Sequence, residues 1–232
     1  MKLEFLFPEI CGIYGDAANV KYMAMCDDDI EVINDDFDEE PYFVKHDVDM
    51  IYMGAMTEFS QNAVIEKLMP YKNRIKELID KNVYFVVTYN ALEVFGNYIE
   101  RGNKKIECLG VLDFYSKYDY SIRHNSHFLG KFEDLEIIGF KTQFGMIYDS
   151  KEKGLFEITS GTGNNPKDSI EGIRKNNFLG TYLLGPLFIQ NPLFVKKLLN
   201  NLGIKANLKF EKEILDAYQD RLKGYNHFLL GK

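Results

Sequence analysis

The sequence predicts an α/β protein: a mostly parallel sheet with helices on both faces, and an antiparallel extension in the second half. Three observations carry this. Val83-Tyr84-Phe85-Val86-Val87 is a short apolar run rich in β-branched and aromatic residues, the composition of a strand buried on both faces. Within about two residues the same stretch becomes helix-spaced, with Leu92, Phe95 and Ile99 on one side, so a tight strand-to-helix turn is expected near residues 88–90. Strand-like and helix-like segments alternate up to that point, whereas beyond Gly102 short strand-like segments are separated by Gly and charged turns.

Taken in order, residues 2–7 alternate weakly and make a first strand. Asp16 is placed to cap a helix over 17–25, which Asp27-Asp28-Asp29 ends. Residues 30–33 supply a second strand, and 49–53, left through Gly54, a third. Thr57 caps a helix running through Ile65 and Leu68; Pro70 breaks it, and a second helical pattern runs through Ile75, Leu78 and Ile79. Residues 107–115, 136–140 and 155–159 are strand-like, and 177–184 returns to a buried strand before Gly185-Pro186. A helix over 192–202 has Pro192 in its first turn and Gly203 past its end, and 212–222 is a last amphipathic helix. No repeat, linker or low-complexity segment interrupts the chain, so residues 1–232 are expected to form one domain.

The net charge of −7 argues against a nucleic-acid surface, which needs clustered Lys and Arg. No apolar run approaches membrane-spanning length, and Glu4 and Pro8 break any signal-peptide core, so no membrane insertion and a cytoplasmic location are expected. Cys11, Cys26 and Cys108 are scattered without metal-ligand spacing, as in a reducing compartment. Asp35-Asp36-Phe37-Asp38-Glu39-Glu40 lacks the oxygen spacing and central Gly of a calcium loop, and 161–166 lacks the Gly-Lys-Ser/Thr ending of a phosphate loop. His124 and His127 follow Arg123 in a loop-like stretch, and His46 and His227 are expected at the surface; no metal or cofactor is expected.

Gly110-Val111-Leu112-Asp113-Phe114-Tyr115, Ile138-Gly139-Phe140 and Gly180-Thr181-Tyr182-Leu183-Leu184-Gly185-Pro186 together resemble class I glutamine amidotransferase domains of the cobyric acid synthase type. With Tyr14-Gly15-Asp16-Ala17-Ala18-Asn19 added, the chain is most similar to the glutaminase subunits of lipid II isoglutaminyl synthase, and the similarity runs through nearly its whole length. The resemblance implies a class I amidotransferase-like fold, a domain that releases ammonia from glutamine, and a Mur-ligase-like partner that uses the ammonia to amidate a cell-wall precursor.

The family's chemistry needs a thiolate at the strand-to-helix turn, where helix N–H groups stabilise it. Aligned on Gly96, the family's Cys-Gly-Gly-Tyr-Gln motif falls on Tyr89-Asn90-Ala91-Leu92-Glu93, so Tyr89 stands in the nucleophile's place. The base is expected as a His after the Gly-Thr-Tyr-Leu strand, and this chain has Leu184 there. The oxyanion-side Gly-Gly-Gly loop is Gly54-Ala55-Met56, and a Glu-Asn-His-Gly-Gly stretch is Lys141-Thr142-Gln143-Phe144-Gly145. Arg123 corresponds to an arginine that contacts glutamine in that subunit. Asn90, Glu93, Arg123 and Gly54 are therefore the candidate ligand-binding residues. A phenol with a pKa near 10 and no adjacent base is a poor nucleophile at neutral pH. Cys26 and Cys108 lie away from the turn, and Thr88 should point to the opposite side of the strand.

The leading expectation is thus a degenerate amidotransferase-like domain that has lost glutaminase activity and works through binding. It would dock on a Mur-ligase-like partner, or sense glutamine or a related small molecule. The alternative is an active glutamine amidotransferase or other amide hydrolase with altered residues, in which Asn90, Glu93 and Arg123 converge on a polar pocket. A third reading, a structural partner with no pocket, calls for an exposed apolar patch.

Overall fold

The computed structural model describes residues 1–205 and 207–230. In chain order, β1 (Lys2–Leu6), α1 (Ala17–Cys26), β2 (Glu31–Asp35), β3 (Met50–Met53), α2 (Glu58–Leu68), α3 (Lys72–Asp80) and β4 (Tyr84–Thr88) form the first half. The second half runs β5 (Tyr98–Arg101), β6 (Lys104–Glu107), β7 (Tyr115–Tyr118), β8 (His124–Phe132), β9 (Leu135–Gln143), β10 (Gly145–Tyr148), β11 (Phe156–Ser160), β12 (Ile170–Glu171), β13 (Ile173–Lys175) and β14 (Phe178–Thr181). It closes with α4 (Leu187–Gln190), α5 (Pro192–Asn201) and α6 (Glu211–Leu230).

The main sheet has the order β13-β14-β4-β3-β1-β2, parallel except for β13 at one edge. Alternation along each strand sends neighbouring side chains to opposite faces. Ile51, Met53, Phe85, Val87 and Phe178 enter one apolar cluster with α2 and α3. Leu3, Phe5, Met50, Tyr52, Val86 and Leu179 enter a second with α1, α4 and α5. A four-stranded sheet, β10-β7-β5-β6, extends the first layer, and another, β12-β11-β8-β9, covers the second. The α/β class and the antiparallel extension are as expected. No helix among the described residues is long and apolar enough to cross a membrane.

The structure corrects several details. The turn after β4 opens a 3-10 stretch, Tyr89–Phe95, that ends at Gly96; Ile99 therefore lies on β5 and shares no helix with Leu92 and Phe95. Residues 108–114 are not strand. They wrap the end of that stretch, with the N–H groups of Leu109 and Val111 donating to the carbonyls of Val94 and Phe95 at 3.0 and 3.1 Å. His124 and His127 sit on β8, not in a loop, and their odd spacing turns them to opposite faces. No cluster of three or more His, Cys, Asp or Glu able to hold a metal occurs among the described residues. Asp16 precedes α1 but makes no side-chain cap, because its carboxyl turns inward.

Glu4 of β1 and Asp35 of β2 are buried, and they fasten the segment after β2: Phe43 N–H donates to Glu4 Oε1 (3.0 Å) and Tyr42 N–H to Asp35 Oδ1 (3.3 Å). Their other oxygens, Glu4 Oε2 and Asp35 Oδ2, are buried without a hydrogen-bond partner. Burial, then Asp35, holds the Glu4 carboxyl far above the usual range. A group whose folded pKa is raised adds stability fully below its unfolded value and loses it as pH rises. The unfolding midpoint of the native chain should therefore fall between about pH 5 and pH 9 more steeply than that of Glu4→Gln, a difference that parallel urea titrations measure.

Candidate functional site

The carboxyl edge of the parallel strands gathers four loops, the position where open α/β sheets bind ligands. Gly54-Ala55-Met56 follows β3, Tyr89 follows β4, Leu184 lies three residues beyond β14, and the loop carrying Tyr14 and Asp16 follows β1. Because Thr181 is the parallel partner of Thr88, the positions of Tyr89 and Leu184 lie beyond adjacent strand ends.

Tyr89 has a left-handed backbone, φ +54, the sparsely populated conformation of a strained strand-to-helix elbow. Its half-buried ring meets Tyr14 edge-on at 5.6 Å and Tyr182 at 6.5 Å. Tyr14 is left-handed too, at φ +57. Burial pushes the Tyr89 phenol well above its ordinary value, with Tyr14 and Glu93 adding to the shift and Arg123 opposing it. Leu184 is half-buried, and its N–H donates to the Phe140 carbonyl at 3.0 Å. One thiol stands at this edge: Cys11, in the loop after β1, is buried with its Sγ 4.0 Å from Met56 Sδ, and burial pushes its pKa well up. Among the described residues no imidazole joins it: His124 and His127 belong to β8 and His46 stacks on Tyr42, while Cys26 and Cys108 are buried elsewhere.

Two N–H groups of the loop after β3, those of Ala55 and Met56, are already occupied. Ala55 N–H donates to Asp16 Oδ2 at 2.7 Å, and Met56 N–H to Asn90 Oδ1 at 3.1 Å; Asn90 Nδ2 returns a bond to the Met56 carbonyl at 2.9 Å. Asp16 also accepts from Tyr52 OH (2.9 Å) and Asn19 Nδ2 (3.2 Å), and burial pushes its carboxyl up to about 6 against these bonds. Gly54 permits the approach: a Cβ there would stand 2.4 Å from the Cys11 carbonyl and 2.7 Å from Asp16 Cβ. Thr88 turns to the Tyr52 side, 3.4 Å from its hydroxyl, opposite Tyr89, as strand alternation predicts.

Behind the elbow lies a network that the sequence did not reveal. Glu93 is fully buried and accepts from Gln61 Nε2 (2.9 Å), Tyr118 OH (2.9 Å) and Tyr182 OH (2.7 Å). Arg101 donates to Gln61 Oε1 and lies over the Tyr118 ring at 4.7 Å. Burial raises the Glu93 pKa, and Gln61, Tyr182, Arg101 and Tyr118 oppose the rise. Further on, Lys141 and Glu171 form a buried ion pair at 3.4 Å; Glu171 accepts from Thr181 OH and Tyr182 N–H, and Lys141 donates to the carbonyls of Thr162 and Gly163. The candidate ligand residues therefore do not converge on a common polar pocket: Asn90 and Glu93 are enclosed by protein partners, and Arg123 is exposed over the Phe144 ring at 5.2 Å.

Similarity to known proteins bears on the family and the fold. Residues 10–192 match the CobB/CobQ-like glutamine amidotransferase domain. The chain belongs to that family. It is 27% identical to the GatD subunit of the glutamine-hydrolyzing lipid II isoglutaminyl synthase of Streptococcus pneumoniae, over 96% of this chain and 87% of that protein. Its counterpart from Staphylococcus aureus is 28% identical over 72% of this chain and 69% of that one. Among solved structures, a glutamine amidotransferase superposes with TM-score 0.60 at 12% identity, covering 87% of this chain and 99% of that chain. A glutamine amidotransferase from Thermotoga maritima gives 0.52 at 12% identity, over 95% and 97%. At such identities the structures speak for the fold alone.

Removing a buried carboxylate from its donors leaves those donors unsatisfied. Glu93→Ala should destabilise the protein by about 3 to 5 kcal/mol, read from the denaturant midpoint, more than truncating any one donor.

Proposed function

We propose that this chain is an amidotransferase-like domain, spanning residues 1–232, that no longer hydrolyses glutamine and acts as a binding or regulatory subunit. The observation that carries the reading is the occupied elbow. A phenol stands where the family's thiol is expected and an aliphatic side chain where its imidazole is expected. The N–H groups of Ala55 and Met56, which a developing oxyanion would need, are held by Asp16 and Asn90. Oxyanion donors act by being aimed at an empty position, so donors already bound to carboxylate and amide oxygens give no such help.

The similarity to GatD subunits supports a place in lipid II amidation, in the cytoplasm, with a Mur-ligase-like protein as the partner. In the same reading, glutamine or a related small molecule is a candidate ligand of the old pocket, with Arg123 at its rim. A second reading, hydrolysis of glutamine or another amide by altered residues, is favoured by the retained left-handed elbow at Tyr89.

Incubation of the purified protein with glutamine, alone and with the Mur-ligase-like protein, should release no ammonia above the buffer rate, and Tyr89→Ala should not change this. Turnover that Tyr89→Ala abolishes would establish the second reading. Tyr89→Cys combined with Leu184→His should stay inactive as well, because Asn90 still occupies the Met56 N–H; adding Asn90→Gly is the step expected to admit measurable hydrolysis.

A further inference from the structure

The opposite end of the main sheet carries a site that the amidotransferase reading does not use. β13 and β14 meet in a hairpin at the amino edge, where the Asn177 carbonyl accepts from Phe85 N–H at 3.0 Å. Beside this hairpin a pocket of about 640 Å³ is lined by Lys151, Glu152, Lys153, Arg174, Lys175 and Asn176. Four cations to one anion is a local reversal of sign in a chain of net charge −7. A concave cluster of one sign focuses its field and raises the local concentration of counter-charged ligand.

The charges are unequally committed. Lys175 Nζ pairs with Glu152 Oε1 at 3.0 Å, and Arg174 with Glu133 at 3.2 Å. Lys151 and Lys153 are exposed and make no ion pair among the described residues. The frame that presents them is fixed by main-chain contacts. Arg174 N–H donates to the Lys153 carbonyl (2.7 Å), Lys151 N–H to the Asp113 carbonyl (3.0 Å), and Asp113 N–H to Glu152 Oε1 (3.4 Å). Gly154 lets the segment lie against the sheet, since a Cβ there would stand 2.6 Å from Ile170 Cβ. Asn176 is left-handed at φ +53, with its Nδ2 tied to the Ile79 carbonyl at 3.1 Å. The pocket is thus preformed, and only flexible ammonium groups need move to meet a ligand.

We propose that this pocket binds a soluble small molecule carrying a di- or triphosphate group. Lys151, Lys153 and Lys175 are its phosphate contacts. Several separated ammonium groups suit an anion with charge spread over several oxygens, and Lys serves phosphates as a point charge. The volume falls in the range of small-molecule sites, well above that of a single carboxylate. Glu152 works against the ligand, since it repels the phosphate and competes for Lys175.

The test is calorimetric titration of the full chain with inorganic pyrophosphate at low ionic strength, with sodium sulfate at equal ionic strength as reference. The expected result is saturable binding at one site. It should weaken about tenfold in Lys151→Gln/Lys153→Gln, as loss of two exposed charge contacts implies, and tighten in Glu152→Gln. Lys104→Gln, on the distant β5–β6 hairpin, should bind as the native chain does, and unfolding midpoints verify that each variant is folded. Absence of saturable pyrophosphate binding overturns the proposal. So does equal binding by the double variant, or binding confined to an RNA oligonucleotide or to anionic vesicles.

Discussion

The region around the elbow depends on one buried carboxyl group. Glu93 gathers donors from α2 (Gln61), β7 (Tyr118) and the turn after β14 (Tyr182), so three elements that share no hydrogen-bond ladder meet on its two oxygens. A buried polar network of this kind specifies an arrangement as well as stabilising it, since each donor is left costly and unpaired if its element shifts. Gly145 belongs to the same constraint: a Cβ there would stand 2.6 Å from Glu93 Oε1, so β10 must present a glycine where it passes the carboxyl. The Tyr182 N–H and Thr181 hydroxyl then carry the network to Glu171 and its buried partner Lys141, joining the main sheet to the sheet that covers it.

The parallel sheet was legible because its strands announce themselves in local sequence. Met50-Ile51-Tyr52-Met53 and Phe85-Val86-Val87 are short, apolar and bounded by turn chemistry, and burial on both faces leaves no other use for such runs. Thr57 and Pro70 marked a helix start and a helix break that the structure keeps, with Thr57 Oγ1 accepting from Ser60 N–H at 3.1 Å. The second half was harder, because its strands are set by partners rather than by their own composition. Lys104-Lys105-Ile106-Glu107 is mostly charged and becomes a strand only by pairing with β5. Residues 108–114 carry enough apolar side chains to pass for a strand, yet the N–H groups of Leu109, Val111 and Leu112 are claimed by Val94 and Phe95 at the end of the 3-10 stretch.

The site was half legible for the same reason. Tyr89 and Leu184 could be located because each follows a recognisable strand, and both occupy the carboxyl edge. The role of Glu93 could not, since Gln61 is 32 residues before it and Tyr182 is 89 after it; a glutamate in the sequence looks the same whether it faces ligand or protein. Asp16 misled in a similar way. An acidic residue before a helix suggests a cap, but the glycine at position 54 brings the neighbouring loop close enough for the Ala55 N–H to take the carboxyl instead.

The left-handed elbow has a physical explanation that does not require catalysis. A left-handed tyrosine costs on the order of 1 kcal/mol or more and persists only where its surroundings over-determine it. Here they do so from both sides. Before Tyr89, β4 is pinned between β3 and β14; after it, Asn90 is bound to both polar groups of Met56, and Glu93 is bound to three donors. The chain must turn sharply at residue 89 to satisfy both ends. That geometric demand holds whether the side chain at the tip is a nucleophile or a phenol. Loss of a thiol would leave the fold under the same constraint, and the left-handed turn at this edge is evidence about packing before it is evidence about chemistry.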